Sequence, residues 1–358
     1  MKKIKLFLGA YINAQNAQNI NCLALAQYID KEKFEIYTME HTKGNINIDF
    51  LRSSCKIIFY NSKFKFTKIW IYIYALYTCD VLYLPKQEKL SFITLLNKLF
   101  FKKAIFLTIE SILDEYTISK ISKNTKKGFN KYKRSIESVE YVYSISKFIR
   151  EYNLAKVGLY SEERILSLGV DNENFVQKNK LSNNLKNIIF IGNDMKRKGI
   201  DEYLELALNF PDLVFHIVGK GSEIDFKEIQ KKYSNVVYHG SISPKDLNGI
   251  LQEMDLHVLP SKSEGFPKVI LETAMVGVPS LVYSHYGASE WLRTEYNGFV
   301  VDNFKSFQEV IMKLKNDNDL LRFNAKNAIK LSQRFHWSLV VKDWEDEITK
   351  LYTKKIHG

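Results

Sequence analysis

Asn187-Ile188-Ile189-Phe190-Ile191-Gly192-Asn193-Asp194-Met195-Lys196-Arg197-Lys198-Gly199-Ile200 holds a strand, a glycine turn and a helix start in one short stretch. Apolar residues run up to Gly192, then the chain turns polar and basic before a helical pattern begins. Working outward, the same grammar repeats. Strands are predicted at Val214–Val218, Val236–His239, Leu256–Leu259, Ser280–Tyr283 and Gly298–Val301. Between them lie helices near Ile200–Leu208, Phe226–Tyr233, Lys245–Glu253 and Lys268–Val276. Such alternation predicts a parallel α/β sheet. The loops Gly192-Asn193-Asp194, Gly219-Lys220-Gly221, Gly240-Ser241 and Pro260-Ser261 then fall at the carboxyl ends of strands, where these sheets bind ligands.

The first half has a looser form of the pattern. Strands are predicted at Ile4–Leu8, Phe34–Thr38, Val81–Leu84, Ala104–Thr108 and Tyr141–Ser144, with helices at Asn19–Ile29 and Ser91–Phe101. A chain of 358 residues suits two domains. The polar segment Asp171 to Lys186 reads as the linker. Phe335 to Tyr352 has Trp337, Val340, Val341, Trp344, Ile348 and Leu351 at helical spacing, with no strand after it, so it is expected to pack across the domain junction.

Hydrophobic residues at 46% and charged residues at 26% exclude a disordered chain. Cys22, Cys55 and Cys79 are too widely spaced for a metal site and odd in number for disulfides, which fits reduced thiols in a cytoplasmic protein. The apolar run in the opening MKKIKLFLGAYIN is short for a signal peptide and reads as a buried strand. Ile69 to Cys79, the longest apolar stretch, stops well short of a bilayer span.

The charge is unevenly divided. Residues 1–180 hold 29 Lys+Arg against 17 Asp+Glu, which accounts for the whole net charge of +12. Lysines adjoin aromatic and aliphatic residues in Phe64-Lys65-Phe66, Lys68-Ile69-Trp70 and Leu99-Phe100-Phe101-Lys102-Lys103. That surface suits anionic lipid headgroups, or is simply a solvated face. No nucleic-acid motif accompanies it, so no nucleic-acid partner is expected.

Two stretches carry chemistry. In Pro260-Ser261-Lys262-Ser263-Glu264-Gly265-Phe266-Pro267-Lys268-Val269-Ile270-Leu271-Glu272 a strand ends, a loop follows, and Pro267 suits a first helical turn. Free N–H groups at Gly265 and Phe266 would make an anion site there. Glu264 and Glu272 flank it as acceptors for hydroxyl groups. On spacing alone, Glu272 also reads as an exposed residue paired with Lys268. In the opening stretch, Lys196, Arg197 and Lys198 stand beside a helix start, a place for a diphosphate or a solvated basic turn.

Residues 187–301 resemble the donor-binding domain of glycosyltransferase family 4, the retaining enzymes of GT-B fold. The likeness runs in order through IIFIGNDMKRKGID, FHIVGKGSE, NVVYHGSIS, LHVLPSKSEGFPKVILETAMVGVP and NGFVV. Glu264 and Glu272 match the ends of the family's E-x(7)-E motif, and Lys-Arg-Lys-Gly is similar to the branch of lipopolysaccharide-core and cell-surface glycan transferases. The resemblance implies that Lys198 holds the donor diphosphate with Arg197, that Glu272 binds the ribose and that Glu264 binds the donor sugar. It gives Gly265 and Phe266 backbone contacts and sets His239 to Ser241 beside the base. Asn193 stands where many members have a phosphate-binding arginine, which shifts that work to Lys198 and Arg197. In the first half the likeness is one of outline. Ser144-Ile145-Ser146 and the stretch 168–175 resemble the interdomain segment. Glu110, in Thr108-Ile109-Glu110-Ser111, stands where many members have an active-site histidine, either as its replacement or as a loop carboxylate of no catalytic consequence.

The expectation is therefore an α/β chain of GT-B class, two Rossmann-like domains facing across a cleft, the C-terminal helix returning to the first. Residues 1–170 with 335–358 form the acceptor domain and 171–334 the donor domain. The implied activity is retaining transfer of a hexose-type sugar from a nucleotide-diphosphate donor, UDP favoured, to a glycan or glycolipid acceptor. No cofactor or metal is expected, and the implied location is cytoplasmic, peripheral on the inner membrane face. A nucleotide-sugar epimerase and a non-catalytic sugar-nucleotide-binding subunit are the alternatives. Gly219-Lys220-Gly221 is too weak a fingerprint for a dinucleotide-dependent dehydrogenase.

Overall fold

The computed structural model describes residues 2–61, 63, 67–86, 89–124, 128–171, 173–221 and 224–357. The chain divides into two units, Met1–Gly169 with Trp337–Gly358, and Val170–His336.

The first unit is a parallel sheet of β1 (Ile4–Tyr11), β2 (Phe34–His41), β3 (Cys55–Tyr60), β4 (Val81–Tyr83), β5 (Ala104–Ile109) and β6 (Tyr141–Ser144). Their spatial order is β3-β2-β1-β4-β5-β6. From β1 the chain steps outward to β3, returns to β4 beside β1, and steps outward the other way. The direction reverses between β1 and β4, and the crevice over such a switch point is where open α/β sheets bind ligands. Strand β3 is absent from the sequence expectation. It is an edge strand with Lys56 and Phe59 exposed, so it lacks the unbroken apolar run that marks central strands.

Right-handed crossovers set the helices. Thr67–Thr78 and Leu90–Leu96, with its continuation Asn97–Phe101, cover one face; Ala17–Tyr28 and the C-terminal helix Trp337–His357 pack together on the other. Trp344 is fully buried, its ring centroid 5.2 Å from that of Tyr83 and its indole N–H donating to the Ser167 carbonyl at 2.9 Å. Tyr143 donates to Glu347 Oε1 at 2.7 Å. Apolar spacing on this last helix thus reports its burial in the first unit.

The second unit is a parallel sheet of β7 (Asn187–Ile191), β8 (Val214–Val218), β9 (Val236–Gly240), β10 (Leu256–Leu259), β11 (Ser280–Tyr283) and β12 (Phe299–Val301), ordered β12-β11-β10-β7-β8-β9. Read from β9, this is the order of the first sheet, so both units are doubly wound as expected, and the switch point here lies between β7 and β10. The loops after those two strands touch. A Cβ at Gly199, whose φ is +83°, would overlap the Pro260 carbonyl oxygen, so only glycine lets them meet.

Two expectations change. Asp171 to Lys186 forms no regular element, yet it lies packed along the second unit: Phe175, Lys178 and Leu185 are buried, and the Lys178 ammonium donates to the Met254 carbonyl. Its Asn172 is outside the described residues. In Lys68-Ile69-Trp70, the helix turns Lys68 inward to 8% exposure and leaves Trp70 out at 67%. Phe64-Lys65-Phe66 lies outside the described residues. No helix among the described residues is long and apolar enough to cross a membrane.

Candidate functional site

The loop after β7 turns at Asp194, whose φ of 58° its short polar side chain tolerates. The turn carries Arg197 and Lys198 to the loop after β10, where the Lys262 N–H donates to the Arg197 carbonyl at 2.9 Å. Lys198 Nζ donates to Glu264 Oε1 at 2.8 Å, and Arg197 Nη1 lies 3.3 Å from the same oxygen. Ser261 Oγ donates to it from 3.2 Å. Arg197 also holds Asp194 Oδ2 at 3.2 Å and donates to the Ser263 carbonyl. Lys196 points elsewhere, to Asp201 at 2.7 Å.

The Lys198 and Glu264 side chains are only 13% and 11% exposed, so salt screens their attraction less than that of a surface pair. Burial opposes the charge on Arg197, but Glu264 and Asp194 hold its guanidinium above the ordinary value. On β10, His257 is fully buried with Nδ1 2.9 Å from Ser280 Oγ. Burial first and then the Lys198 ammonium push it down to about 3, so it is neutral near pH 7.

The N–H groups of Lys198, Gly199 and Ile200 donate to Asp194, Lys196 and Met195 carbonyls at 3.1, 3.3 and 3.0 Å, closing the turn before helix Ile200–Asn209. Those three donors are therefore not free for an anion, and Arg197 and Lys198 bring charged side chains to this loop. The other helix start differs. Helix Lys268–Val276 follows Pro267 without a side-chain cap. Among the described residues, no group accepts from the Gly265 or Phe266 N–H, which leaves two donors for an anion. The Phe266 ring packs 5.5 Å from Trp291 and 6.0 Å from Phe335, anchoring the loop.

Glu272 is half-buried, not an exposed partner of Lys268. Burial raises its pKa, Lys268 and Lys198 oppose that, and Asp171 adds to it. A carboxylate so covered calls for hydrogen-bond donors. Asn193 Oδ1 accepts the Lys220 N–H at 2.8 Å and so ties the loops after β7 and β8. His239 Nε2 lies 2.9 Å from His216 Nδ1 with the rings nearly parallel at 10°, and Ser241 is exposed just beyond β9.

Glu110 belongs to the first unit, directly after β5. Its Oε2 accepts from Asn21 at 3.1 Å, and its charge adds to the burial that raises the Cys22 thiol and the Tyr83 phenol. At the switch point of that sheet, the Lys86 and Lys68 ammoniums lie 4.4 and 5.5 Å from the Tyr11 ring centroid, and Tyr60 stacks on it at 5.1 Å. Burial lowers the pKa of the adjoining His41, helped by Lys43, Lys86 and Lys68. Sequence reasoning missed this cluster, whose members come from separate segments. It also missed Asp194 and Ser261, which stand in the quoted loops but gain roles only when the loops meet.

Residues 171–331 match the model of the family described as glycosyl transferases group 1. The chain is 30% identical over 213 residues to an "uncharacterized 41.2 kDa protein in cps region" of Klebsiella pneumoniae, 59% of this chain and 54% of that one. It is 28% identical over 235 residues to the alpha-galactosylglucosyldiacylglycerol synthase of Streptococcus pneumoniae, 57% of this chain and 62% of that one. The chain thus spans about half to three-fifths of the length of these curated relatives. In fold it is similar to the HepE protein of Anabaena in complex with UDP, with a TM-score of 0.74 at 15% identity, covering 97% of this chain and 100% of that one.

Proposed function

We propose that this chain, whose second unit carries a glycosyl transferases group 1 domain, is a retaining glycosyltransferase of bacterial cell-surface polysaccharide or lipopolysaccharide synthesis. It moves a sugar from a nucleoside diphosphate to a glycan or glycolipid acceptor. The observation that carries this reading is the convergence of Arg197, Lys198 and Glu264 where the loops after β7 and β10 meet, inside the matched domain.

The roles follow from charge. As the bond between the anomeric carbon and the phosphate oxygen breaks, the leaving diphosphate gains negative charge. Lys198 and Arg197 meet it, along with the Gly265 and Phe266 N–H groups. The diphosphate draws the two cations from Glu264, whose carboxylate then accepts from the donor sugar's hydroxyls. Glu272 accepts from the ribose, and the loop of His239 and Ser241 borders the base. Asn193 fixes that rim. The acceptor hydroxyl bonds to the anomeric carbon on the face the phosphate leaves, and its proton passes to a phosphate oxygen. No protein base is required, and the two cations do the work of a divalent metal. The UDP bound by the similarly folded HepE supports a uridine donor. Glu110 orients the acceptor, and the lysine-rich first unit meets it at an anionic membrane surface.

Anomeric proton–carbon coupling in the product of a nucleotide sugar and a membrane glycolipid extract tests this reading. The donor's configuration is expected to persist. An inverted centre contradicts retention, and conversion of the donor's sugar without any acceptor makes the protein an epimerase.

A further inference from the structure

Helices Thr67–Thr78 and Leu90–Leu96, the latter continued by Asn97–Phe101, share one face of the first sheet. Their inner sides are buried through Ile71, Tyr72, Ala75 and Leu76 on the first and Leu90 and Ile93 on the second. Their outer sides are not polar, as a solvent-facing helix surface ordinarily is. Trp70, Tyr74 and Tyr77 follow at steps of four and three, one stripe, and are 67%, 49% and 80% exposed. Phe92, Leu95 and Leu99 make a second stripe at 45%, 56% and 60% exposure, with Phe100 at 71% beside it. An apolar surface of this extent marks a contact.

Its composition identifies the contact. Trp and Tyr favour the boundary between hydrocarbon and water, where one end of the side chain is apolar and the other wet. Lys98 and Lys102 are exposed beside the second stripe. Residues 67–103, which include the helices of this face, hold 6 Lys+Arg against 2 Asp+Glu. A second copy of the face would bring like charge against like. An acidic protein would answer the lysines and leave the aromatic stripes unexplained.

We infer that this face is a membrane-docking surface: the two stripes enter the headgroup boundary of an anionic bilayer and Lys98 and Lys102 meet its surface charge. This gives residues to the membrane contact proposed above, and it does not depend on the transfer reaction. Trp70, Leu99, Phe100 and Lys102 of the face belong to exposed parts of the basic and aromatic segments visible in the sequence; helix geometry adds Tyr74, Tyr77, Phe92, Leu95 and Lys98.

The test is co-sedimentation of the full chain with phosphatidylcholine vesicles, with and without phosphatidylglycerol. Binding is expected only with the anionic lipid. Trp70→Ser/Tyr74→Ser/Tyr77→Ser lowers partition about tenfold or more, from lost apolar burial. Lys98→Gln and Lys102→Gln each lower it about fivefold. All these positions are exposed, and unchanged circular dichroism and an unchanged melting temperature show that the variants fold. Wild-type protein that ignores anionic vesicles overturns the inference. So do variants that bind as wild type, or a lipid-free dimer that the aromatic variant abolishes. Donor binding is measured alongside, because its failure contradicts the transferase reading while leaving the vesicle result intact.

Discussion

Glu264 is one carboxylate facing two cations, and its single Oε1 takes Lys198 at 2.8 Å, Arg197 at 3.3 Å and Ser261 at 3.2 Å. With the proposed donor site so neutralised, a diphosphate competes with a protein carboxylate for the same positive charge. Glu264→Gln removes the competitor and keeps the shape. Binding of UDP to that variant is expected to be several times tighter, while sugar transfer falls about a hundredfold because a group aimed at the sugar is lost. Calorimetric titration and a transfer assay read the two effects separately; weaker UDP binding contradicts the competition. The members of this site differ in how much of them the sequence displays. Arg197, Lys198, Glu264 and Glu272 stand in stretches where charge interrupts an apolar pattern at a strand end or a helix start. Asp194 and Ser261 look like ordinary loop residues. Their contacts arise from a left-handed turn and from the meeting of two loops far apart in sequence.

At the scale of elements, strand positions were visible wherever a strand is central. The runs at β7, β8, β10 and β11 begin and end where the apolar pattern does, because both faces of a central parallel strand are covered. Edge strand β3 exposes part of its surface and escaped that reading. The helix starts also divide. Pro267 marks one from the sequence, but the turn that consumes the N–H groups of Lys198, Gly199 and Ile200 depends on backbone angles that residue types do not dictate. Between β8 and β9, His216 is held down to about 4 by burial and by His239, below the ordinary 6.5. The folded state therefore takes up this proton at lower pH than the unfolded chain does. The resulting stability is full above about pH 6.5 and drains away as pH falls toward about 4. Urea midpoints measured from about pH 7 to about pH 4 are expected to fall more steeply for the wild type than for His216→Gln. Equal slopes would show that the pair does not titrate in this way.

For the whole molecule, two sheets of the same strand order carry different chemistry at their carboxyl edges. The second unit has acid and base in close pairs at its switch point and a balanced charge. The first has aromatic rings, lysines and Glu110, together with the exposed stripes. The repeated α/β pattern showed the two halves and their class from the outset, and the ordered blocks in residues 187–301 gave the second its resemblance. The first half kept its cluster hidden, since Tyr11, His41, Tyr60, Lys68 and Lys86 converge only through folding. The central claim is that the switch point of the second unit binds a nucleotide sugar through Lys198. Its most direct test is the melting temperature of the wild type and of Lys198→Ala against UDP-, GDP-, TDP- and ADP-sugars. One class, UDP-sugars on this account, raises the wild-type melting temperature, as a ligand at about a hundred times its Kd adds about 2.7 kcal/mol of stability. Lys198→Ala shows little or no rise. A wild type indifferent to every nucleotide sugar, or a Lys198→Ala variant stabilised as much as the wild type, would contradict it.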